Sequence, residues 1–334
     1  MREVYSYCWG SERMSRKPIV DDNNFVRLAG ESKSIRELAR KCKYETSQVR
    51  RRIQSLKGQY GDLTPTGYYP EQRHSRKTQT FHRDKKYTIV AFSDAHFWPE
   101  HMAPQSPANL ILLKILDDIK PDIIQDGGDS FDGASISRFP KNRAQIDLPT
   151  VKEELEINET RHDEIKAASP KSLCHWVMGN HDARFENYIL QNATEIADMP
   201  FTKLEDYFPD WDFFDKMIYN DTLMTTHQWK GGVGAGRNNT WNAGKSVLTG
   251  HTHRLTQVPI TDMNGTRWGL ESGTLADPRE IMFNYAIGIT DWQPGLQVIT
   301  IDGDQVHPES VFVGHDGKAH FRGKSYWRSL SSII

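Results

Sequence analysis

Five short segments limit what this chain can be. In each, an apolar run of strand length ends in a tight turn rich in Gly, Asp, Asn and His: Ser93-Asp94-Ala95-His96, Gly127-Gly128-Asp129-Ser130-Phe131-Asp132, Gly179-Asn180-His181-Asp182, Thr225-Thr226-His227 and Gly250-His251-Thr252-His253. A short apolar run closed by turn-forming residues is the pattern of a buried strand. The strands predicted this way are Tyr87 to Phe92, one starting at Asp122, Leu173 to Met178, Leu223 to Thr226 and Ser246 to Leu248, followed by Gln257 to Ile260, Trp268 to Ser272 and Leu296 to Ile301. Pro107 to Ile119 reads as an amphipathic helix between the first two, so strand and helix alternate as in α/β folds. Loops at strand ends in such folds converge on one crevice, where residues distant in sequence can meet. Pro149 to Lys166 is a charged helical stretch, expected to be a solvated cover.

The side chains carried by those turns are carboxylates, imidazoles and one carboxamide. A mixed nitrogen and oxygen set suits first-row divalent ions better than calcium, and the absence of cysteine argues against a thiolate zinc site. Cys8, Cys42 and Cys174 are an odd number without paired spacing, as expected of reduced thiols. His101, His162, His175 and His315 lie outside the five turns and read as surface or satisfied histidines. Asp126 reads as a turn residue. Asp132 reads equally as part of a network or as a plain cap.

The order Asp-x-His, Gly-Asp, Gly-Asn-His-Asp, His, Gly-His-Thr-His, spread from Lys85 to about Val311, resembles the calcineurin-like metallophosphoesterase superfamily. The resemblance implies an α/β fold, a four-layer α/β/β/α sandwich, and a hydrolase of phosphate esters using two divalent metal ions. Mn2+ is the first expectation, with Fe2+, Zn2+ or Mg2+ as alternatives. Carried across motif by motif, the resemblance implies that Asp94, His96 and His253 hold one ion, that Asp129 bridges to the other, and that Asn180, His227 and His251 complete the second site. It places His181 where it can protonate the leaving oxygen, with Asp182 orienting its ring, and Arg184 near the phosphate. Gln228 stands after His227 where the family commonly has Gly. Asp132-Gly133-Ala134 and Asp182 stand where the Ser/Thr protein phosphatases carry Arg-Gly and Glu, so the chain looks more like the repair-nuclease and general phosphodiesterase branches.

Charge bears on the substrate. From Lys33 to Lys57 there are nine Lys/Arg and two Asp/Glu, a net of +7; of the chain's 42 basic and 44 acidic residues this leaves 33 and 42, or −9, elsewhere. Ser34 and Glu37 have capping-box spacing ahead of Ile35, Leu38, Ala39 and Cys42 on one helical face. After Lys43-Tyr44-Glu45, Thr46 or Ser47 can cap a second helix, with Val49, Ile53 and Leu56 inward and Gln48, Arg50, Arg51, Arg52 and Gln54 outward. The pair resembles a helix-turn-helix that would offer Arg50, Arg51 and Arg52 to DNA; a small basic docking hairpin is the alternative. The expected organisation is a basic module over 1–57, a linker over 58–84 punctuated by Pro65, Gly67 and Pro70, and a metallophosphoesterase domain over 85–334. The expected activity is that of a DNA nuclease. The alternatives are a phosphatase or phosphodiesterase for a nucleotide or other small ester, and a DNA-binding regulator with an inactive body. No window approaches the ~18 apolar residues of a membrane span, and residues 1 to 17 lack the apolar core of a signal peptide. A cytoplasmic protein with no membrane partner is expected.

Overall fold

The computed structural model describes residues 20–32, 35–44, 46–60, 63, 78–138, 147–283 and 290–327. The expected caps at Ser34, Thr46 and Ser47 involve side chains outside the described set. The chain divides into two compact units, 1–72 and 73–334.

Among its described residues the first unit contains three helices, α1 (Asp22–Gly30), α2 (Ile35–Cys42) and α3 (Thr46–Tyr60). Helix α1 was not among the expected elements. It begins at Asp21, whose side chain accepts from the Asn24 amide, and it brings Phe25 and Ala29 onto Leu38, Ala39, Cys42, Val49, Ile53 and Leu56. Two short helices alone would leave much of that apolar surface wet, and the third helix covers it. At the α2–α3 turn Lys43 is left-handed, with φ 55°. The Tyr44 amide donates back to the Ala39 carbonyl at 2.9 Å, the closing bond of a Schellman end, so lysine takes the conformation usually given to glycine.

Arg52 differs from expectation. Rather than facing outward it donates to the Tyr44 hydroxyl at 2.5 Å, pairs with Asp22 at 2.7 Å and lies 5.0 Å over the Phe25 ring, with 12% of its side chain exposed. A planar, weakly hydrated guanidinium can stack and pair in this way while its stem is buried. Arg51 is exposed, and the Arg50 side chain is outside the described residues.

The second unit holds fourteen described strands: β1 (Gln79–Phe81), β2 (Tyr87–Phe92), β3 (Ile123–Asp126), β4 (Leu173–Val177), β5 (Asp212–Phe214), β6 (Met217–Tyr219), β7 (Leu223–Thr225), β8 (Ser246–Thr249), β9 (Leu255–Asp262), β10 (Gly265–Ser272), β11 (Gly295–Asp302), β12 (Gln305–Phe312), β13 (Lys318–Phe321) and β14 (Lys324–Trp327). Its described helices are α4 (Pro107–Ile119), α5 (Val151–Ala168), α6 (Ala183–Asn192) and α7 (Ala235–Ala243). One mixed sheet runs β12-β11-β2-β3-β4-β5 and the other β1-β6-β7-β8-β10-β9. The span 58–84, expected as a linker, gives its first residues to α3 and Gln79–Phe81 to an edge strand paired with β6.

Both faces of β2 are buried. Tyr87, Ile89 and Ala91 meet Met217, Tyr219, Leu223, Leu248 and Leu270 of the other sheet, while Val90 and Phe92 meet Ile111, Leu112, Ile115 and Leu116 of α4. Alternating side chains therefore fill two cores, which is why the strand reads as a continuous apolar run. Helix α7 lies against β8, β9 and β10. The order of layers is helix, sheet, sheet, helix, an α/β/β/α sandwich.

Helix α5 is more than the solvated cover expected from its charge. Leu155 and Ile165 enter the core, and Glu154, Asn158, Arg161 and His162 are buried as well. Its buried face is largely polar, which weakens the apolar periodicity. The tail hairpin β13–β14 packs on α4, where Lys324 and the Tyr326 hydroxyl reach Asp118.

Candidate metal centre

The turns that follow β2, β3 and β4 carry Asp94 and His96, Asp129, and Asn180 and His181. The turns after β7 and β8 carry His227, and His251 with His253. Strands β2, β3 and β4 run parallel, as do β7 and β8, so within each sheet these turns emerge at one edge. Hydrogen bonds then tie the two sheets together. The His251 amide donates to Asp94 Oδ2 at 2.9 Å, and His227 Nδ1 donates to the Gly127 carbonyl at 2.7 Å.

The result is three groups of donor atoms, each lying within 4.8 Å of one another: Asp94, His96 and His253; Asp129, His227 and His251; and His96, Asp129 and His181. Asp129 belongs to two of them and His96 links the first to the third. Asn180 contributes a buried side-chain oxygen with no hydrogen-bond partner. Six of the residues expected to hold metal, Asp94, His96, Asp129, His227, His251 and His253, therefore fall in these clusters together with His181; Asn180 precedes His181 in the same turn.

Backbone geometry sets this site apart. Asp94, His96, Asp129, His251 and His253 all have positive φ, between 42° and 68°. For residues with a Cβ this region costs of order 1–2 kcal/mol each, and it persists only where surroundings over-determine it. Those surroundings leave no slack. Gly128 has φ 97°, and a Cβ there would come within 2.6 Å of the Gly179 nitrogen and the Val177 carbonyl; a Cβ on Gly179 would collide with Asp129 Oδ1.

The residues fit divalent cations on three counts. His227 Nδ1 donates to a carbonyl, which turns Nε2 toward Asp129. Burial opposes a charge on the ring, but the Asp129 carboxylate outweighs it and raises the pKa to about 10, so a cation bound there would take the place of the Nε2 proton. Nε2 is buried and 3.0 Å from Asp129 Oδ2, yet makes no hydrogen bond, as expected when two donors aim at a common point. His253 Nε2 lies 3.2 Å from Asp94 Oδ1 and is paired with His96 Nε2 at 3.3 Å, so three donors of one cluster face each other. Burial, reinforced by the neighbouring His227, brings the pKa of His251 down to about 4, and burial lowers that of His96; neutral imidazoles are the ligating form. Burial alone would raise Asp129, but His227 and His181 hold its carboxyl well below the usual range.

Residues 87–242 match the family model of the calcineurin-like phosphoesterases. The chain carries a calcineurin-like phosphoesterase domain. It is a metal-dependent phosphoesterase by family, with His/Asp clusters able to hold divalent ions. The Gene 54 proteins of Mycobacterium phages D29 and L5 are each 28% identical to it over 218 residues, an alignment covering 60% of this chain and 85% of theirs. No described helix of the phosphoesterase is long and apolar enough to cross a membrane.

Around the donor clusters, the neighbours of His181 differ from expectation. Asp182 does not orient the His181 ring. Its carboxylate accepts from the amides of Asp129 (2.9 Å), Phe131 (3.0 Å) and Gly179 (2.8 Å) and from Trp176 Nε1 (3.1 Å), so it fixes the backbone of the Asp129 turn. Being the first residue before α6 turns it inward, away from the ring next to it in sequence. Asp132 takes the orienting place. Its Oδ1 lies 2.6 Å from His181 Nδ1 and 3.3 Å from His96 Nδ1, and Oδ2 accepts from Trp98 Nε1 at 2.9 Å. Arg184 donates to the Asp132 carbonyl at 2.7 Å and has Nη2 2.9 Å from His181 Nε2, so its guanidinium is held inside this network. Burial opposes a charge on His181, but Asp129 and Asp132 outweigh it and raise its pKa.

Two supporting groups were not singled out by sequence. Asp126 is no mere turn residue: it accepts from the Gly128 amide at 2.8 Å and Ser130 Oγ at 2.6 Å, bracketing Asp129, and lies 3.0 Å from His162 Nε2. The His162 ring stacks on Trp176 with centroids 4.2 Å apart. Glu154 of α5 accepts from the amides of Gly133 (2.6 Å) and Ala134 (3.0 Å). The only trace of Asp126 in the sequence is its place before the glycine pair, and Glu154 leaves none. His175 is buried against the Tyr219 hydroxyl at 2.8 Å, as a satisfied histidine, while His101 and His315 are exposed.

Proposed function

We propose that the chain is a phosphodiester hydrolase using two divalent metal ions, with DNA as its substrate, and that the basic amino-terminal unit positions that substrate. The observation that carries the hydrolytic half is the junction of two Asp/His clusters at Asp129. In this reading Asp94, His96 and His253 hold one ion, Asn180, His227 and His251 the other, and Asp129 both. When bound, such ions supply Lewis-acid activation of a phosphate ester and of water at neutral pH. Mn2+ suits the mixed nitrogen and oxygen donors. The protein's own part is to orient the ester and handle the proton. His181 has Nε2 3.9 Å from Asp129 Oδ2 and 2.9 Å from Arg184 Nη2, while Asp132 holds Nδ1. With Arg184 turned onto the phosphate, the ring, whose charged form the two carboxylates favour despite its burial, can pass a proton to the departing oxygen.

The DNA half rests on the +7 segment Lys33 to Lys57 against a −9 remainder, because Lys and Arg supply most non-specific affinity for a polyanion. The three-helix arrangement with its closed α2–α3 turn supports a helix-turn-helix reading, in which α3 meets the groove. Comparing single-stranded DNA, duplex DNA, RNA and a small chromogenic phosphodiester in the presence of Mn2+ tests it. Turnover of the small ester with no cut in any nucleic acid would overturn the substrate assignment and leave a small-ester phosphodiesterase.

The arginines separate by role. Arg50→Ala with Arg51→Ala should weaken duplex binding and flatten its salt dependence by ~0.9 for each phosphate that is no longer neutralised. Arg52→Ala should instead lower the stability of the helical unit, by about 1–3 kcal/mol, since it removes a pairing and stacking partner from inside it. Binding isotherms at several salt concentrations and thermal unfolding distinguish the two; equal loss of DNA affinity in both, without unfolding, would tell against the assignment.

A further inference from the structure

From Thr222 to Thr261 the chain has no Asp or Glu, although 44 acidic residues in 334 would put about five in a stretch of 40. Within it lie Lys230, Arg237, Lys245 and Arg254. This acid-free stretch belongs to a body that is otherwise acidic, and it carries three of the metal-centre histidines.

The same stretch exposes two tryptophans. Trp241 is 64% and Trp229 42% accessible, with Val233 at 91% between them in sequence. Scattered exposed aliphatics need no explanation, but large aromatic rings left in water beside unpaired cations do. Arg254 is tied to Asp291 and Glu271. Lys230, Arg237 and Lys245 form no ion pair among the described residues.

Their arrangement is ordered. Helix α7 buries Ala235, Gly236, Asn239 and Thr240 and exposes Arg237, Asn238, Trp241 and Asn242, so charge, amide and ring share one outer face. The loop before it is pinned: the Lys230 amide donates to Asn239 Oδ1, Asn239 Nδ2 returns a bond to the Lys230 carbonyl, and Arg254 donates to the Gly232 carbonyl. Lys230 is only three residues beyond His227, so their Cα atoms are at most ~11 Å apart.

We infer that the outer face of α7 and the loop 228–234 form a platform for single-stranded nucleic acid leading to the metal centre, with bases stacking on Trp229 and Trp241 and phosphates meeting Lys230 and Arg237. Exposed aromatic rings beside a cationic track are the features such proteins share. This rests on the proposed nuclease reading and deepens it, since the phosphoesterase domain itself then grips the strand.

The test uses the full chain, as wild type and in the Arg50→Ala/Arg51→Ala background, with labelled (dT)20 and (U)20 in EDTA so that nothing is cut. Trp229→Ala/Trp241→Ala should weaken binding about tenfold or more. Lys230→Ala/Arg237→Ala should reduce the slope of log K against log salt by about 1.4, at ~0.7 for each of two phosphates. Circular dichroism and Mn2+ content equal to wild type establish that each variant is folded. Adding (dU)20, which differs from (U)20 only in the sugar, separates recognition of the 2′-hydroxyl from recognition of the base; strand binding of either kind lost in the variants supports the platform. If the wild type binds and cuts DNA and both double variants bind as it does, the platform is wrong and the nuclease reading stands. If the wild type neither binds nor cuts any strand, both fall. Loss of self-association in Trp241→Ala, with strand binding intact, would assign the face to a second copy and overturn the inference.

Discussion

Asp129→Ala is expected to leave the phosphoesterase folded but unable to retain metal, with hydrolysis of a chromogenic ester reduced at least about a hundredfold. Loss of a residue merely behind a ligand can cost that much, and Asp129 belongs to two donor clusters at once. Its Oδ1 also accepts the His181 amide at 2.7 Å, so the substitution releases the proton-handling residue together with the cation-holding ones. Metal content after exhaustive dialysis, read beside circular dichroism and turnover, makes the check. Asp129→Asn refines it: the carboxamide keeps an acceptor for the His181 amide but not the charge. A folded Asp129→Ala protein with full metal content and wild-type turnover would remove the basis for a shared site.

His181→Ala should do the opposite with metal, keeping it, while turnover falls by about 10²–10⁴, the range for loss of a general acid. The loss should depend on the leaving group. An ester releasing nitrophenolate needs little protonation and should suffer less than one releasing an alkoxide, because the Nε2 proton matters only to an oxygen too basic to depart alone. Uniform loss across both esters, or loss of metal, would place His181 among the ligands instead, where its nearness to His96 and Asp129 would also allow it to stand. Asp132→Asn should show the same leaving-group pattern in weaker form, since it frees Nδ1 without removing the ring.

The parts of the site legible in sequence were those written contiguously. A strand followed by Asp-x-His or Gly-His-Thr-His announces itself, because the turn must be adjacent to the strand that aims it. Partners supplied from afar leave no such mark. Asp132 serves two histidines 36 and 49 positions away, and Glu154 steadies a turn from the middle of a helix whose buried side is polar. Asp182 shows the converse error: adjacency to His181 suggested contact, but the start of α6 points the two side chains in different directions. In the helical unit, α2 and α3 were visible from apolar spacing, whereas Arg52 was misplaced because its charge suggested water while its plane suits the faces of Phe25 and Tyr44. Short strands such as β5 and β6, three residues each, give too little alternation to be noticed.

The left-handed residues of the metal centre set durability against reactivity. Glycine would sit at Asp94, His96, Asp129, His251 or His253 without steric objection, so a chain drifting under selection for sturdiness alone would find relief there and lose its chemistry in the same step. The tension stored in those three turns marks what the fold gives up to keep reactive groups facing inward.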